Sequence, residues 1–111
     1  MNVNGVPTSM STKTLDYDGT AWTLQLANDT FNIQLSLGTT GLIATESIPA
    51  AGSFCYRSGV EYTGQVDGIY SISDHDLSAN LMSGFFQIKF FRPGLMDTLT
   101  ISNGQFENFE Y

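Results

Sequence analysis

The chain has 111 residues, 41% hydrophobic and 13% aromatic against 14% charged, and its four Lys/Arg against eleven Asp/Glu leave a net charge of −7. That length suits one domain over residues 1–111 with a single core, and this much apolar content excludes a disordered chain. The negative field repels phosphate backbones and anionic headgroups, and the basic residues Lys13, Arg57, Lys89 and Arg92 are scattered, so nucleic acid is not an expected partner.

From the N-terminus, Val3 and Val6 with Gly5 and Pro7 predict a short strand and a bend, followed by a polar stretch from Thr8 to Thr14 that is a loop or an edge strand. Asp16-Tyr17-Asp18-Gly19 predicts a turn, because aspartate caps its own turn and glycine accepts a positive φ. Trp22, Leu24 and Leu26 then alternate with polar or small residues, as do Phe31, Ile33, Leu35 and Leu37. That two-residue period predicts two half-buried strands, and Asn28-Asp29-Thr30 between them predicts a hairpin. Gly38 to Gly41 reads as a turn, Leu42-Ile43 as a short apolar patch and Ile48 to Gly52 as an irregular connection. Phe54 and Tyr56 share a strand face.

Two further strands are predicted near Glu61–Val66 and Ile69–Ser73, with Asp67-Gly68 as a two-residue hairpin turn between them, and Asp74-His75-Asp76 reads as an acidic turn. Met82, Phe86, Ile88 and Phe90 form the apolar face of a longer strand. Arg92-Pro93-Gly94 breaks it, Thr98 to Ile101 resumes the alternation, Asn103-Gly104 predicts another turn, and Gln105 to Tyr111 makes a last short strand. No stretch carries a sustained helical period. The expected fold is all-β: a single antiparallel β-sandwich, or a small barrel, of about eight or nine short strands.

Three segments carry a family resemblance: Met82-Ser83-Gly84-Phe85-Phe86, the run from Asp97 through Thr100-Ile101-Ser102-Asn103-Gly104-Gln105-Phe106-Glu107-Asn108 to Tyr111, and the opening Val3-Asn4-Gly5. With Ala51-Gly52-Ser53-Phe54 at the centre, they resemble an uncharacterised family of small secreted domains, often lipoproteins, of Bacteroidota. Sequences of that family look like V-N-G, G-T-Y, S-G-x-F, T-I-x-N-G-x-F-x-N and a terminal aromatic. The resemblance implies an extracytoplasmic domain, of the cell envelope or secreted, without known activity and with no catalytic residues to carry over. Residues 1–7 hold neither a signal peptide nor a lipobox cysteine, so this expectation places a leader upstream of Met1. With Met1 as the native start, the expectation becomes a cytoplasmic protein or a structural protein of an assembly such as a virion.

No nucleophile elbow, phosphate loop or zinc-protease motif is present, and neither enzymatic activity nor a cofactor is expected. Five residues have metal-ligating chemistry. Asp16 and Asp18 have part of a calcium-loop spacing but lack the remaining ligands, and a capped turn explains them better. His75 lies between Asp74 and Asp76, an arrangement that would favour its protonated form or supply half a metal site; an acidic turn is the simpler reading. Cys55, the only cysteine, forms no intramolecular disulfide, and as a nucleophile paired with His75 it lacks every local signature.

The doubled aromatics Phe85-Phe86 and Phe90-Phe91 exceed what a core needs. With Phe86 and Phe90 facing inward, Phe85, Gln87, Lys89 and Phe91 share the opposite face. Aromatics flanked by polar groups suit a protein interface or stacking on a sugar ring, so the expected function is a binding surface, with self-association into an assembly and glycan or small-ligand binding as the alternatives.

Overall fold

The computed structural model describes residues 1–49, 51–62, 65–92 and 97–111, with the side chains of all of these except Gln65, Val66 and Asp97. The strands are β1 (Asn2–Val3), β2 (Val6–Pro7), β3 (Thr12–Tyr17), β4 (Trp22–Ala27), β5 (Phe31–Ser36), β6 (Thr45–Ser47), β7 (Phe54–Arg57), β8 (Val60–Tyr62), β9 (Gln65–Asp76), β10 (Leu81–Arg92) and β11 (Asp97–Glu110). They form two antiparallel sheets, one ordered β2-β1-β11-β10-β9-β6 and the other β3-β4-β5-β7-β8. The two pack face to face as a sandwich that does not close into a barrel. No helix among the described residues is long and apolar enough to cross a membrane.

Alternation puts the predicted apolar residues between the sheets. Trp22, Leu24 and Leu26 of β4 and Phe31, Ile33 and Leu35 of β5 meet Tyr70 and Ile72 of β9, Met82, Phe86, Ile88 and Phe90 of β10, and Leu99, Ile101 and Phe106 of β11. Burying each of these large side chains contributes about 1.5–3 kcal/mol, enough to make the pairing of faces the main determinant of register.

Three hairpins share one device, an Asx side chain that accepts from two amides across its turn. Asp18 accepts from Thr20 and Ala21 between β3 and β4, both at 2.8 Å. Asn28 accepts from Thr30 and Phe31 between β4 and β5, at 2.8 and 2.7 Å. Asp76 accepts from Ser78 and Ala79 between β9 and β10, at 3.0 and 3.1 Å. The polar stretch ahead of the first turn divides: Thr8 to Ser11 are irregular and Thr12 to Thr14 open an edge strand, β3, which extends through Asp16 and Tyr17, so the turn begins only at Asp18.

Other expectations are corrected. Eleven strands are present among the described residues, and three of them are long: β9 and β10 have 12 residues each and β11 has 14. Asp67-Gly68 is not a turn but the interior of β9, paired with Lys89 and Ile88. A Cβ on Gly68 would lie 2.4 Å from the Gln87 carbonyl oxygen and 2.7 Å from Ile88 Cα, so the glycine serves close approach of two backbones. Asp74-His75-Asp76 likewise ends β9, and the turn is Leu77–Asn80. Asn103-Gly104 lies within β11 as a bulge, with Asn103 at φ 52°. Arg92 closes β10, while the expected break at Pro93-Gly94 lies outside the described residues.

Candidate binding surface

The outward face of the six-stranded sheet carries the residues singled out by alternation. Phe86 and Phe90 are buried in the core, Phe85, Gln87 and Lys89 are exposed, and Phe91 is half-buried. Phe85 pairs with Ser71 on one side and Gln105 on the other, and Gln87 pairs with Ile69. Phe85 is 53% exposed and Ile69, diagonal to it, 42%. Phe91 is six residues from Phe85, about 20 Å along the strand, so the two aromatics do not make one patch.

Phe85, Ile69, Ser71, Gln87, Asn103 and Gln105 surround an open depression of about 360 Å³, with the buried Phe86 and Gly104 beneath. The bulge makes it. Phe86 pairs with Gly104 but Ile88 pairs with Ile101, so Gln87 faces two residues of β11 where one is regular. The extra residue, Asn103, adopts the left-handed conformation that asparagine tolerates best after glycine. Ser102 and Asn103 therefore both lie between inward-facing Ile101 and Gly104, which widens the spacing of outward side chains on β11 at this point. A second depression of about 320 Å³ continues from the first, sharing Ile69 and Gln87 and adding Asp67, Lys89 and Thr100. Lys89 and Asp67 are directly opposite in register, one charge of each sign.

The acidic candidates are not brought together. Among the described residues no three of His, Cys, Asp and Glu form a group that could hold a metal ion. Asp16 is exposed on edge strand β3, and the Asp18 carboxylate is occupied by its turn. The amides of Ala21 and then Thr20 hold Asp18 below the usual carboxylate value of 3.8. A carboxyl group depressed in the folded state stabilises the protein above its unfolded value and loses that contribution as the pH falls through the folded one. Asp18→Asn, which keeps an accepting oxygen, is thus expected to retain the turn while removing this acid dependence, and Asp18→Ala to lose both; unfolding midpoints measured across the acid range separate the two.

Strand alternation also separates His75 from its sequence neighbours: Asp74 and Asp76 are exposed, while His75 is half-buried and turned toward the other sheet. There it joins a cluster that sequence patterns do not reveal. Tyr17 stacks on Trp22 at 4.3 Å between centroids, and the Trp22 ring meets His75 and Tyr111 edge-on at 5.6 and 5.8 Å. His75 Nδ1 lies 2.8 Å from the Gly41 carbonyl oxygen, which can only accept, so Nδ1 carries the hydrogen. In the neutral ring Nε2 then accepts from the Tyr111 hydroxyl at 2.5 Å. Gly41, at φ +61°, is required beside them, since a Cβ would lie 2.7 Å from Trp22 and 3.0 Å from His75. With both ring nitrogens engaged, His75 ties the two sheets together at this end and has no lone pair left for a metal or for Cys55. Tyr17 and Trp22, paired across the capped first turn, were the only local hint of this cluster.

Cys55 faces the core from β7, paired with Ile33 and Tyr62, and burial pushes its thiol up to about 12, so it is not a nucleophile at neutral pH. Comparison of the chain with family models, curated proteins and solved structures gave no match.

Proposed function

We propose that this protein is a non-catalytic β-sandwich module that works by presenting the outer face of its six-stranded sheet to a partner. The observation that carries the reading is the exposed Phe85 beside Ile69, at the rim of a bulge-made depression on the outer face of the sheet. A ring of that size facing water forgoes the burial free energy that a partner would supply, and bulges are over-represented where a strand re-aims side chains toward function. The extracytoplasmic, envelope-associated setting rests on the family resemblance of the S-G-x-F and N-G-x-F segments.

Photo-crosslinking in the native host tests this. A benzophenone amino acid at Gln87 is expected to give a discrete, saturable product, while the same probe at Gln25, exposed on the outer face of the other sheet, gives none. A product containing a second copy of the chain would assign the surface to an assembly. Indistinguishable labelling from the two positions would overturn the reading.

A further inference from the structure

The lining of the two joined depressions specifies the class of ligand, and we infer that this face binds a neutral oligosaccharide laid across β9, β10 and β11. The inference rests on the binding-surface reading above and adds the chemistry of the occupant. Three requirements of a sugar ring are met by named groups. The apolar C–H face of a pyranose needs an exposed aromatic plane, and Phe85 provides one. Its hydroxyls need groups that both donate and accept, and the amides of Gln87, Asn103 and Gln105 are of that kind. None of these three side chains has a hydrogen bond within the described protein, so their donors and acceptors are open to a ligand.

The third requirement is charge. Phe85, Ile69, Ser71, Gln87, Asn103 and Gln105 are all uncharged, in a protein of net charge −7. The charged residues of the adjoining depression are Asp67 and Lys89, one of each sign, so it carries no net charge. Such a surface has no net positive charge to hold a phosphate or sulfate, and the charge of the whole protein would repel an acidic polymer. Because the two depressions share Ile69 and Gln87, they form one trough, longer than a single ring needs. Asn103 is present in it only through the bulge: a regular β11 would carry one residue fewer opposite Gln87, and the amide would be absent.

The test is titration of the isotope-labelled full chain with neutral hexasaccharides of glucose, mannose, galactose and N-acetylglucosamine, following the side-chain amide resonances of Gln87, Asn103 and Gln105. At least one sugar is expected to shift all three at millimolar concentration, independently of salt. Phe85→Ala, at an exposed position, should leave the unfolding midpoint unchanged and weaken that binding about tenfold, the loss of one aromatic platform. No shift with any of the four, shifts that survive Phe85→Ala, or tighter and salt-sensitive binding of an acidic glycan would each overturn the inference. A negative titration with a position-specific crosslink from Gln87 overturns the sugar alone; absence of both also removes the binding-surface reading.

Discussion

Gly104→Ala is expected to destabilise the protein by about 3 kcal/mol, against the usual direction for this change in a strand. Gly104 does not have a positive φ, and alanine in an extended backbone ordinarily gains about 0.5–1 kcal/mol over glycine. The sign reverses because its Cβ would lie 2.3, 2.4 and 2.6 Å from three atoms of the Phe86 ring, which is held in the core. Gly84 and Phe106 repeat the arrangement across the same strand pair: Gly84 pairs with Phe106, and Phe86 with Gly104. Each phenylalanine covers the glycine opposite and occupies the space that a methyl group there would take. The alternatives to this geometry differ in whether a second substitution helps. At Gly104 the three nearest atoms all belong to the Phe86 ring, so Phe86→Leu should recover part of the loss, with a coupling of about 1 kcal/mol or more in a double-mutant cycle. At Gly84 a Cβ would also lie 2.3 Å from the Ser71 carbonyl oxygen, a backbone atom that Phe106→Leu cannot move. Denaturant unfolding of the four variants checks both statements, and a Gly104→Ala protein as stable as the parent would refute the covering role.

These reciprocal pairs also explain which parts of the structure were legible in the sequence. The Gly-x-Phe spacing in Gly84-Phe85-Phe86 and Gly104-Gln105-Phe106 is a two-residue period, readable as one strand face, and alternation placed Phe86 and Phe90 inside and Phe85 and Gln87 outside. The turns at Asp18 and Asn28 were readable because the side chains that close them reach amides only two and three residues away. The failures came where one local signal serves two purposes. Asn-Gly and Asp-Gly suit a tight hairpin, but Gly68 is in β9 because the β10 backbone passes within reach of a Cβ, and Asn103 is in β11 because the bulge needs a positive φ. Both reasons reside in a neighbouring strand. The cluster of Tyr17, Trp22, Gly41, His75 and Tyr111 is assembled from β3, β4, a loop, β9 and the C-terminus, and no spacing in the chain encodes it. The trough was half legible for the same reason: Phe85 and Gln87 follow from one strand's period, whereas Asn103 enters it only through a mismatch between two.

Stability is expected to decline steeply above pH 9, and the cause is a pair of buried acids in the core. Burial pushes the Cys55 thiol from its ordinary 9.0 up to about 12. The unfolded chain therefore releases this proton near pH 9 while the folded chain retains it, so stability is fully present below that pH and is lost as the pH rises toward 12. The loss amounts to about 1.4 kcal/mol per pH unit, or about 4 kcal/mol for Cys55 at the upper end. Tyr70 acts in the same direction from its ordinary 10.0. Burial raises it first, and its 2.6 Å hydrogen bond to the Glu46 carboxylate and the charge on that carboxylate raise it further. Repulsion within a chain of net charge −7 also grows with pH, but every variant shares it, so differences between variants isolate the two residues. Cys55→Ala should flatten the alkaline limb from about pH 9 upward, Tyr70→Phe only from about pH 10, and the double variant should retain only the shallow decline due to general charge repulsion. Unfolding free energies measured in parallel at several alkaline pH values decide the matter: curves for the parent and the double variant that stay parallel would mean that neither group is shielded from water as the packing around β5, β7 and β9 requires.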